Sequence, residues 1–389
     1  MEINSKLHPL LTSELEVTEI MSSTAYLRLK SKTQVHFPKL GSSEVVHDRL
    51  SHTNEVAPSA LIISLSIAAR MGWDQLAVDY RGSIKPAALL HDTGHPPLGH
   101  DGAKFLDAYF KDAGLEEGFS DNNNTLVVIK KNKIAVSDYT IASVIKYPKK
   151  LYPSQKAEYD PILEAALKDD FEHFKSLGVH LKNQTRTIAC QVMDLADENT
   201  YVCSDLSDFF CLGNTIPEKD IIERAKKYPF FTDAYYSELI DVIKCGEKNV
   251  IRGYFNRIKN KMNTNYAINE EGVVVVDSEL KEFWNLLWEL ELSYYISSVR
   301  KSKFHLSNMK KLRCYISNVV HHNLLPSKSY SKLIESCKDP LEVLMYKRDM
   351  IAETTDWFVT GFDNNETWSN FGAGAEGLDI GPESTIPYE

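Results

Sequence analysis

The stretch PAALLHDTGHPPLGHDG, residues 86–102, carries three histidines and two aspartates within eleven of its positions. Its apolar run 87–90 ends at His91 and Asp92, and the glycines and prolines of the following turn cannot continue a helix. Adjacent side chains on a helix point about 100° apart, so both reach one ion only near a helix end. The sequence puts His91 and Asp92 at such an end, and we interpret them as candidate metal ligands.

The composition is that of a large globular chain. With 389 residues, of which 43% are hydrophobic, the chain can bury a sizeable core. We expect no membrane span, because no apolar run is long enough, and a cytoplasmic location, because the N-terminus lacks a signal pattern and the six cysteines show no CxxC pair. A net charge of −10 argues against broad nucleic-acid binding but leaves open a local basic pocket for phosphates. Weak binding of single-stranded nucleic acid is kept as a possible interaction.

Helical spacing of apolar residues dominates the chain and predicts a mainly α fold. Predicted helices lie in the later part of 47–72 and in 103–112, 182–213, 217–263, 278–301, 303–323 and 339–360. Two small hairpins are expected, one in TLVVIKKNKIAVS (125–137), which follows the polar loop SDNNN (120–124), and one near 272–276. The acidic, glycine-rich residues 363–389 are expected to form a flexible tail.

An acidic face marks the helix predicted over 182–213. Asp194, Asp197, Tyr201 and Asp205 follow one another at intervals of three or four residues, so they lie on one face. Apolar residues rather than lysines alternate with them. This pattern is typical of a buried helix whose acids need a partner.

Four residues on these segments form a candidate metal site if the fold brings them together: His52, His91, Asp92 and Asp197. Two imidazoles and two carboxylates suit a hard to borderline divalent ion, and helix-bundle cores are where such sites are built. An ion of this kind polarises a phosphoryl oxygen and positions or deprotonates a water molecule. Spacing along the chain cannot prove that the four side chains converge.

Phosphate chemistry at such a site also needs a cation and a proton-transfer group. Arg49, three residues before His52 and on the same face, is a candidate for holding phosphate. His95 and His100 are candidates for proton transfer. Two basic segments are interpreted as solvated: the loop with Lys146, Lys149 and Lys150, and the segment 26–37, which is expected to be a helix face that ends in a turn.

The order of the candidate ligands resembles that of the HD-domain phosphohydrolases. More narrowly, five ordered blocks resemble the dGTPase-like deoxynucleoside triphosphate triphosphohydrolases: KTQV (32–35), RLSHTNEV (49–56), HDTGHPPLGHDG (91–102), DLADENTY (194–201) and RDMIAETTDWF (348–358). A lone histidine–aspartate pair is a weak signal, whereas five blocks in the same order between about residues 25 and 360 are a specific one.

The resemblance implies a mainly α, HD-domain helical bundle with small β-hairpin insertions. It implies a body over 1–362, with an HD core at about 45–210 and a C-terminal helical part at about 215–362, before the tail 363–389. The implied activity is hydrolysis of dGTP and other dNTPs to a deoxynucleoside and inorganic triphosphate, which would lower dNTP pools. A homo-oligomer is the implied assembly.

By motif position, the resemblance assigns roles to single residues. The metal ligands would be His52, His91, Asp92 and Asp197, with Mn²⁺ or Mg²⁺ foremost and Fe²⁺, Zn²⁺, Co²⁺ or Ni²⁺ as alternatives. The sugar and phosphate pocket would be lined by Gln34, Arg49, Tyr201 and Asp205, with Tyr201 under the deoxyribose as a steric gate against a 2′-hydroxyl. The catalytic residues would be His95, His100 and Asp92. Asp356 matches a late motif and receives no role.

One departure from the family pattern affects the catalytic half of the site. The position three residues after His100, where the family usually carries an acid that orients this histidine, is Ala103. Three interpretations stay open: a slower enzyme, an enzyme that uses Asp101 or another acid, or a dNTP-binding sensor with little turnover. Another HD nucleotidase or phosphodiesterase is a further alternative, which the KTQV and late-helix blocks disfavour.

Overall fold

The computed structural model describes residues 8–35, 46–228, 233–322 and 324–361, and the tail predicted at 363–389 lies outside them. The predicted mainly α class is confirmed. The first part of the chain contains α1 (Pro9–Ser22), α2 (Thr24–Leu27), α3 (Arg49–Met71), α4 (Ile84–Leu90), α5 (Gly99–Asp112), α6 (Asp121–Lys131), α7 (Asp138–Ser143), α8 (Pro153–Ser176) and α9 (Ile188–Cys211).

The second part of the chain is also helical apart from one hairpin. It contains α10 (Glu218–Ala225), α11 (Asp233–Cys245), α12 (Lys248–Asn263), β1 (Tyr266–Ile268), β2 (Val274–Val276), α13 (Ser278–Leu290), α14 (Ser297–Lys301), α15 (Lys303–His322), α16 (Lys328–Ser336), α17 (Pro340–Glu353) and α18 (Asp356–Thr360). A π-helical segment, Glu291–Ile296, joins α13 to α14. No helix in the described ranges is long and apolar enough to cross a membrane.

Helices α3 and α9 form the centre of the molecule. Helix α3 begins with a reciprocal cap, in which Asp48 accepts the Ser51 backbone N–H at 2.7 Å and the Ser51 hydroxyl accepts the Asp48 N–H at 3.0 Å. It ends at Gly72, whose φ of 69° is the left-handed conformation that glycine adopts without strain. Helix α9 begins at the Thr187 cap and packs against α3, α4 and α12. These two helices carry five of the ten candidate site residues: Arg49, His52, Asp197, Tyr201 and Asp205.

The buried apolar residues form three clusters. The first includes residues of α1, α3, α4, α6–α8 and the hairpin, together with the first half of α9. The second includes α10–α13 and the second half of α9, and the third packs α5 against α15, α17 and α18. Because α9 contributes to two clusters, it joins the N-terminal helices to the following ones. The domain limits at about 210 and 362 stay a prediction.

The hairpin predicted at 125–137 is wrong, and so is the loop predicted at 120–124. Ser120 caps a helix by accepting the Asn123 N–H at 3.4 Å, and the β-branched run belongs to α6. Polar residues of this kind favour helix N-termini as much as loops, which explains the error. The second predicted hairpin is confirmed, since β1 pairs antiparallel with β2.

The segment 26–37, as far as residue 35, is not a solvated helix face. Helix α2 ends at Leu27, one 3₁₀ turn follows, and Lys32 is 2% exposed. Its ammonium donates hydrogen bonds to the carbonyl oxygens of His95 and, at 2.9 Å, of Ala352. Burial lowers the pKa of Lys32 to about 7. Lys32 therefore ties the N-terminal segment to the histidine-rich turn and to the end of α17.

Asp356, at the start of α18, holds the same turn from its other side. One carboxylate oxygen accepts the Leu98 backbone N–H at 2.9 Å, and the other accepts the Thr33 backbone N–H at 2.8 Å and hydroxyl at 2.7 Å. Leu98 has a φ of 62°, a strained conformation for a branched residue that its neighbours must enforce. The late motif thus has a structural role that the sequence alone does not reveal.

Candidate active site

The structure brings together the four side chains that were predicted to hold a metal. We call His52, His91, Asp92 and Asp197 the metal cluster. The Nε2 atom of His52 lies 2.9 Å from Asp197 Oδ1 and 4.0 Å from Asp92 Oδ2, and His91 Nε2 lies 3.4 Å from an oxygen of each aspartate. The four side chains come from α3, the end of α4 and α9, so their convergence is a product of helix packing.

The orientation of His91 fits a bound cation. Its Nδ1 lies 2.7 Å from the Ala88 carbonyl oxygen, so the Nδ1–H donates there and Nε2 is the ring nitrogen that faces the cluster. Nε2 is buried, forms no hydrogen bond within the described part of the chain, and lies among the carboxylates. A backbone carbonyl that fixes the histidine tautomer is the usual second partner of a metal-binding imidazole. Two imidazole nitrogens and two carboxylates therefore fit a divalent ion.

Both aspartates of the metal cluster are ionised. Burial alone would raise the pKa of Asp92, but Arg49, His91 and His95 outweigh it and hold the pKa well below its usual value. Burial would also raise the pKa of Asp197, but Lys146 and the two histidines of the cluster hold that pKa well below its usual value. The buried carboxylate of Asp92 and the carboxylate of Asp197, which is 16% exposed, would supply the negative charge that a divalent cation requires.

Lys146 belongs to this site, contrary to the prediction that it is solvated. Its ammonium lies 2.7 Å from Asp197 Oδ2 and 3.1 Å from Asp194 Oδ1. Burial would lower the pKa of Lys146, but the two carboxylates raise it well above its usual value. Lys149 and Lys150 are exposed, as expected. Nothing in the spacing of these lysines distinguishes Lys146, because its role depends on how the turn after α7 packs against α9.

Arg49 presents unpaired donors beside the metal cluster. The side chain is 1% exposed, and its Nη1 donates to Asp92 Oδ2 at 2.9 Å. Its Nε and Nη2 have no acceptor in the described ranges, and the buried Oε1 of Gln34 likewise has no donor there. Unpaired donors in a buried site are costly unless a ligand satisfies them. A phosphate group would supply the missing acceptors.

A second group of side chains lies next to the metal cluster, and we call His95, His100 and Asp121 the rim cluster. The Nδ1 of His95 lies 3.0 Å from Asp92 Oδ1, and its Nε2 lies 3.1 Å from Asp121 Oδ2. His100 Nδ1 lies 3.5 Å from the same Asp121 oxygen. The side chain of His95 is 10% exposed and that of His100 is 64% exposed. The rim cluster thus runs from the buried ligands to the surface.

Asp121 was not among the predicted site residues. The acids that follow His100 in the sequence, Asp101 and Asp107, have other partners. Asp101 lies 2.9 Å from Arg300 Nη2 and 3.1 Å from His305 Nε2. Asp107 accepts the Phe119 backbone N–H at 2.9 Å, and its other carboxylate oxygen lies 2.8 Å from the ammonium of Lys111, one turn later in the same helix. The signal that sequence reasoning missed was Ser120 followed by an acid, which is a typical helix start.

Tyr201 and Asp205 continue the acidic face of α9 away from the metal cluster. Tyr201 is half-buried, and its ring meets Trp288 edge-on with a centroid distance of 5.4 Å. Asp205 is buried beside Glu291, the first residue of the π-helical segment. Burial and the nearby carboxyl of Asp208 raise the pKa of Asp205, and burial and Asp205 raise that of Glu291. A contact of Tyr201 or Asp205 with a sugar stays a prediction.

Comparison with known proteins supports the resemblance found in the motifs. The deoxyguanosinetriphosphate triphosphohydrolase-like protein of Shewanella sediminis is 28% identical over 260 residues, 56% of this chain and 57% of that protein. A deoxyguanosinetriphosphate triphosphohydrolase-like protein 2 of Mesorhizobium japonicum is 32% identical over 51% of this chain and 45% of its own length. The chain is similar in sequence to these dGTPase-like proteins over about half of its length. This confirms the prediction from the ordered blocks.

The extent of the similarity differs among these dGTPase-like relatives. The Aliivibrio salmonicida deoxyguanosinetriphosphate triphosphohydrolase-like protein is 24% identical over 72% of this chain and 73% of that protein. The chain matches about half the length of the Shewanella sediminis and Mesorhizobium japonicum proteins. No family model matches the chain. A solved structure of a hypothetical protein from Aquifex aeolicus is 16% identical, with a TM-score of 0.40, over 89% of this chain and 66% of that one.

Proposed function

We propose that this chain hydrolyses deoxynucleoside triphosphates, dGTP and other dNTPs, to a deoxynucleoside and inorganic triphosphate. The observation that carries the proposal is the buried metal cluster beside Arg49, whose Nε and Nη2 have no acceptor in the described ranges. The dGTPase-like names of the relatives support the same substrate class. In this reaction water adds to the α-phosphorus, the bond between phosphorus and the 5′-oxygen breaks, and that oxygen takes a proton.

His52, His91, Asp92 and Asp197 would hold a divalent ion, Mn²⁺ or Mg²⁺ first, with Fe²⁺, Zn²⁺, Co²⁺ and Ni²⁺ as alternatives. When bound, the ion supplies Lewis-acid polarisation of a phosphoryl oxygen and lowers the pKa of a bound water. Arg49 binds the phosphate oxygens through its two unpaired nitrogens. Lys146 limits the charge repulsion between the acids of α9 and the polyphosphate.

The residues of the rim cluster would handle the proton. His100 lies at the surface end of the site, where its imidazole can protonate the departing 5′-oxygen. His95, held between Asp92 and Asp121, links this histidine to the metal cluster. Gln34, Tyr201 and Asp205 would line the pocket for the sugar, and Tyr201 would exclude a 2′-hydroxyl. Lowering of dNTP pools, homo-oligomer formation, weak single-strand binding and a cytoplasmic location stay predictions from the sequence.

Product analysis tests the proposal directly. The purified chain is incubated with each dNTP and each rNTP in Mn²⁺ or Mg²⁺, and the products are resolved by ion-exchange chromatography. We expect triphosphate and deoxynucleoside from dNTPs and little product from rNTPs. Orthophosphate, or a monophosphate with pyrophosphate, would contradict the proposal and favour another HD nucleotidase or phosphodiesterase. A companion variant is Arg49→Gln. It keeps the four residues proposed to hold the metal, and it should weaken dNTP binding.

A dNTP sensor with little turnover is the second candidate function. Ala103 favours it, since His100 has no acid on the next turn of its own helix and its contact with Asp121 is 3.5 Å long. The metal cluster and Arg49 would still bind a nucleotide in such a protein. Tight binding of a dNTP by calorimetry, with no product after prolonged incubation, would establish the sensor and exclude the hydrolase.

A further inference from the structure

We propose that Asp121 is the positioning residue that orients His100 and His95 for proton transfer, in place of the acid absent at position 103. This inference rests on the proposed function, because it concerns how the same site moves a proton. A single oxygen, Asp121 Oδ2, lies 3.1 Å from His95 Nε2 and 3.5 Å from His100 Nδ1. The two imidazole rings lie edge to face, with centroids 5.0 Å apart. One carboxylate therefore serves both histidines.

The carboxylate is held in place by the packing of α6 against the histidine-rich turn. The side-chain amide of Asn124 donates to the Gly94 carbonyl oxygen at 2.7 Å, and the Thr125 hydroxyl donates to the His91 carbonyl oxygen at 3.2 Å. A Cβ atom at Gly94 would lie 2.2 Å from the Asp121 carbonyl oxygen and 2.3 Å from the Thr125 nitrogen. Only glycine allows this close approach. The N-terminus of α6 and the turn thus form one rigid unit.

The electrostatic surroundings agree with a carboxylate that pairs with histidines. Asp121 is ionised, because His95 and His100 outweigh the effect of burial and hold its pKa well below the usual value. A carboxylate oxygen lies close to each ring nitrogen of His95, 3.0 Å from Nδ1 and 3.1 Å from Nε2, as an ion-pair contact without hydrogen-bond geometry. Asp92, His95, Asp121 and His100 form a continuous polar chain from the metal cluster to the exposed rim.

The consequence for His100 concerns its tautomer. A carboxylate at Nδ1 accepts the N–H there and leaves Nε2 as the ring nitrogen that can exchange a proton with substrate. A distance of 3.5 Å is long for a hydrogen bond, but such contacts are often long without substrate and shorten when it binds. Ala103 has no oxygen that could accept the Nδ1–H of His100, and Asp101 is bound to Arg300 and His305. Within the described ranges, Asp121 is the acid that His100 contacts.

The first test compares Asp121→Asn with Asp138→Asn. Both aspartates are the first residue of a helix that follows a serine cap, so both substitutions remove the same helix-end charge, but Asp138 is exposed on α7. We expect Asp121→Asn to lower kcat by about 10²-fold with KM nearly unchanged, because general acid catalysis contributes roughly this much. Asp138→Asn should match the wild type, and Asp121→Glu should retain more activity than Asp121→Asn. A rise in KM with an unchanged kcat would overturn the proposal.

The second test is rescue from the neighbouring helix turn. Ala103→Glu places a carboxylate one turn after His100, and we expect it to restore part of the kcat that Asp121→Asn loses. In the wild-type background we expect Ala103→Glu to give no gain, because Asp121 already occupies the role. A similar loss of kcat in every combination would indicate that Asp121 acts only by supporting the fold, and would overturn the proposal.

Two further readouts do not depend on turnover. Imidazole nitrogen NMR of the chain without substrate should show that His100 changes its tautomer in Asp121→Asn and not in Asp138→Asn. If the wild type makes no triphosphate, the proposed function fails, yet this measurement still decides whether Asp121 orients His100. Metal analysis after Mn²⁺ loading should give the same metal content for both variants. Loss of one metal equivalent in Asp121→Asn would show that the rim cluster is a second metal site, and would overturn the positioning role.

Discussion

The metal cluster and the rim cluster meet where His95 contacts Asp92, but they are built in different ways. All four residues of the metal cluster lie on segments that the sequence pattern singled out, and every one is buried or nearly so. The rim cluster takes His95 from the histidine-rich turn and His100 from the start of α5. Its acid comes from the start of α6, a segment that was predicted to be a loop. Its outer histidine is largely exposed.

The contrast reflects what each cluster must do. A metal ion requires several ligands of defined type around one point, so the residue types and the helix ends that carry them leave a pattern in the sequence. Orienting a histidine requires a single acceptor oxygen, and any neighbouring element can supply it. The rim cluster can therefore change its source of acid without changing its histidines. Variants that affect one cluster and spare the other test this contrast.

The largest effect is expected from Asp197→Asn, which changes the metal cluster and leaves the residues of the rim cluster unchanged. The amide removes a ligand charge and leaves Lys146 without its nearest carboxylate. We expect bound metal to fall to background and turnover to fall by at least about 10³-fold, because the ion supplies most of the transition-state charge stabilisation. Metal analysis and product assays check this. Retained metal with lost turnover would mean that Asp197 is not a ligand.

A smaller effect is expected from Lys146→Met. This change leaves Asp194 with Arg186 and leaves one oxygen of Asp197 unpaired beside incoming phosphate. We expect kcat/KM to fall by about 10²-fold, since the lost attraction between this ammonium and the polyphosphate charge is worth roughly 3 kcal/mol at an effective dielectric constant of about 20. The matched control is Lys149→Met, which changes an exposed lysine of the next turn and should leave the kinetics unchanged. Equal effects of the two variants would contradict the placement of Lys146.

Asp356→Ala should weaken the rim cluster before it affects the metal cluster. It removes the acceptor for the Leu98 and Thr33 backbone N–H groups, which hold the turn between His95 and His100. We expect the free energy of unfolding to fall by about 3 kcal/mol, because each buried donor left unpaired costs roughly 1–3 kcal/mol. Denaturant unfolding measures this, and metal content should be retained. Asp339→Ala, which removes an exposed helix cap, should cost only about 1 kcal/mol.

The smallest effect is expected from Asp101→Asn. Burial alone would raise the pKa of Asp101, but His305 and Arg300 lower it from 3.8 to about 2. Its stabilisation is therefore fully present above pH 3.8 and is lost as the pH falls through about 2. We expect the variant to be less stable by about 1 kcal/mol near neutral pH, with the difference vanishing in acid and kcat unchanged. A large loss of kcat would make Asp101, not Asp121, the partner of His100.

Much of the site was predictable from residue patterns. Helical spacing placed Asp194, Asp197 and Asp205 on one face of α9, and the glycine–proline turn placed His91 and Asp92 at a helix end. The errors fell where short-range patterns are ambiguous. Ser120 and its polar neighbours suit a loop as well as a helix start, and the β-branched run after them suits a strand as well as a buried helix face.

The sequence by itself determined the helical class, the identity of the candidate metal-binding residues and the resemblance to the dGTPase-like proteins, because these depend on residue types and their order along the chain. Only the tertiary structure decided the partners of those residues. It put Lys146 against Asp197, Asp356 beneath Leu98, and Asp121 beside both rim histidines. Each of these contacts joins segments that lie far apart in the chain. Such pairings follow from how helices pack, and local sequence carries no record of them.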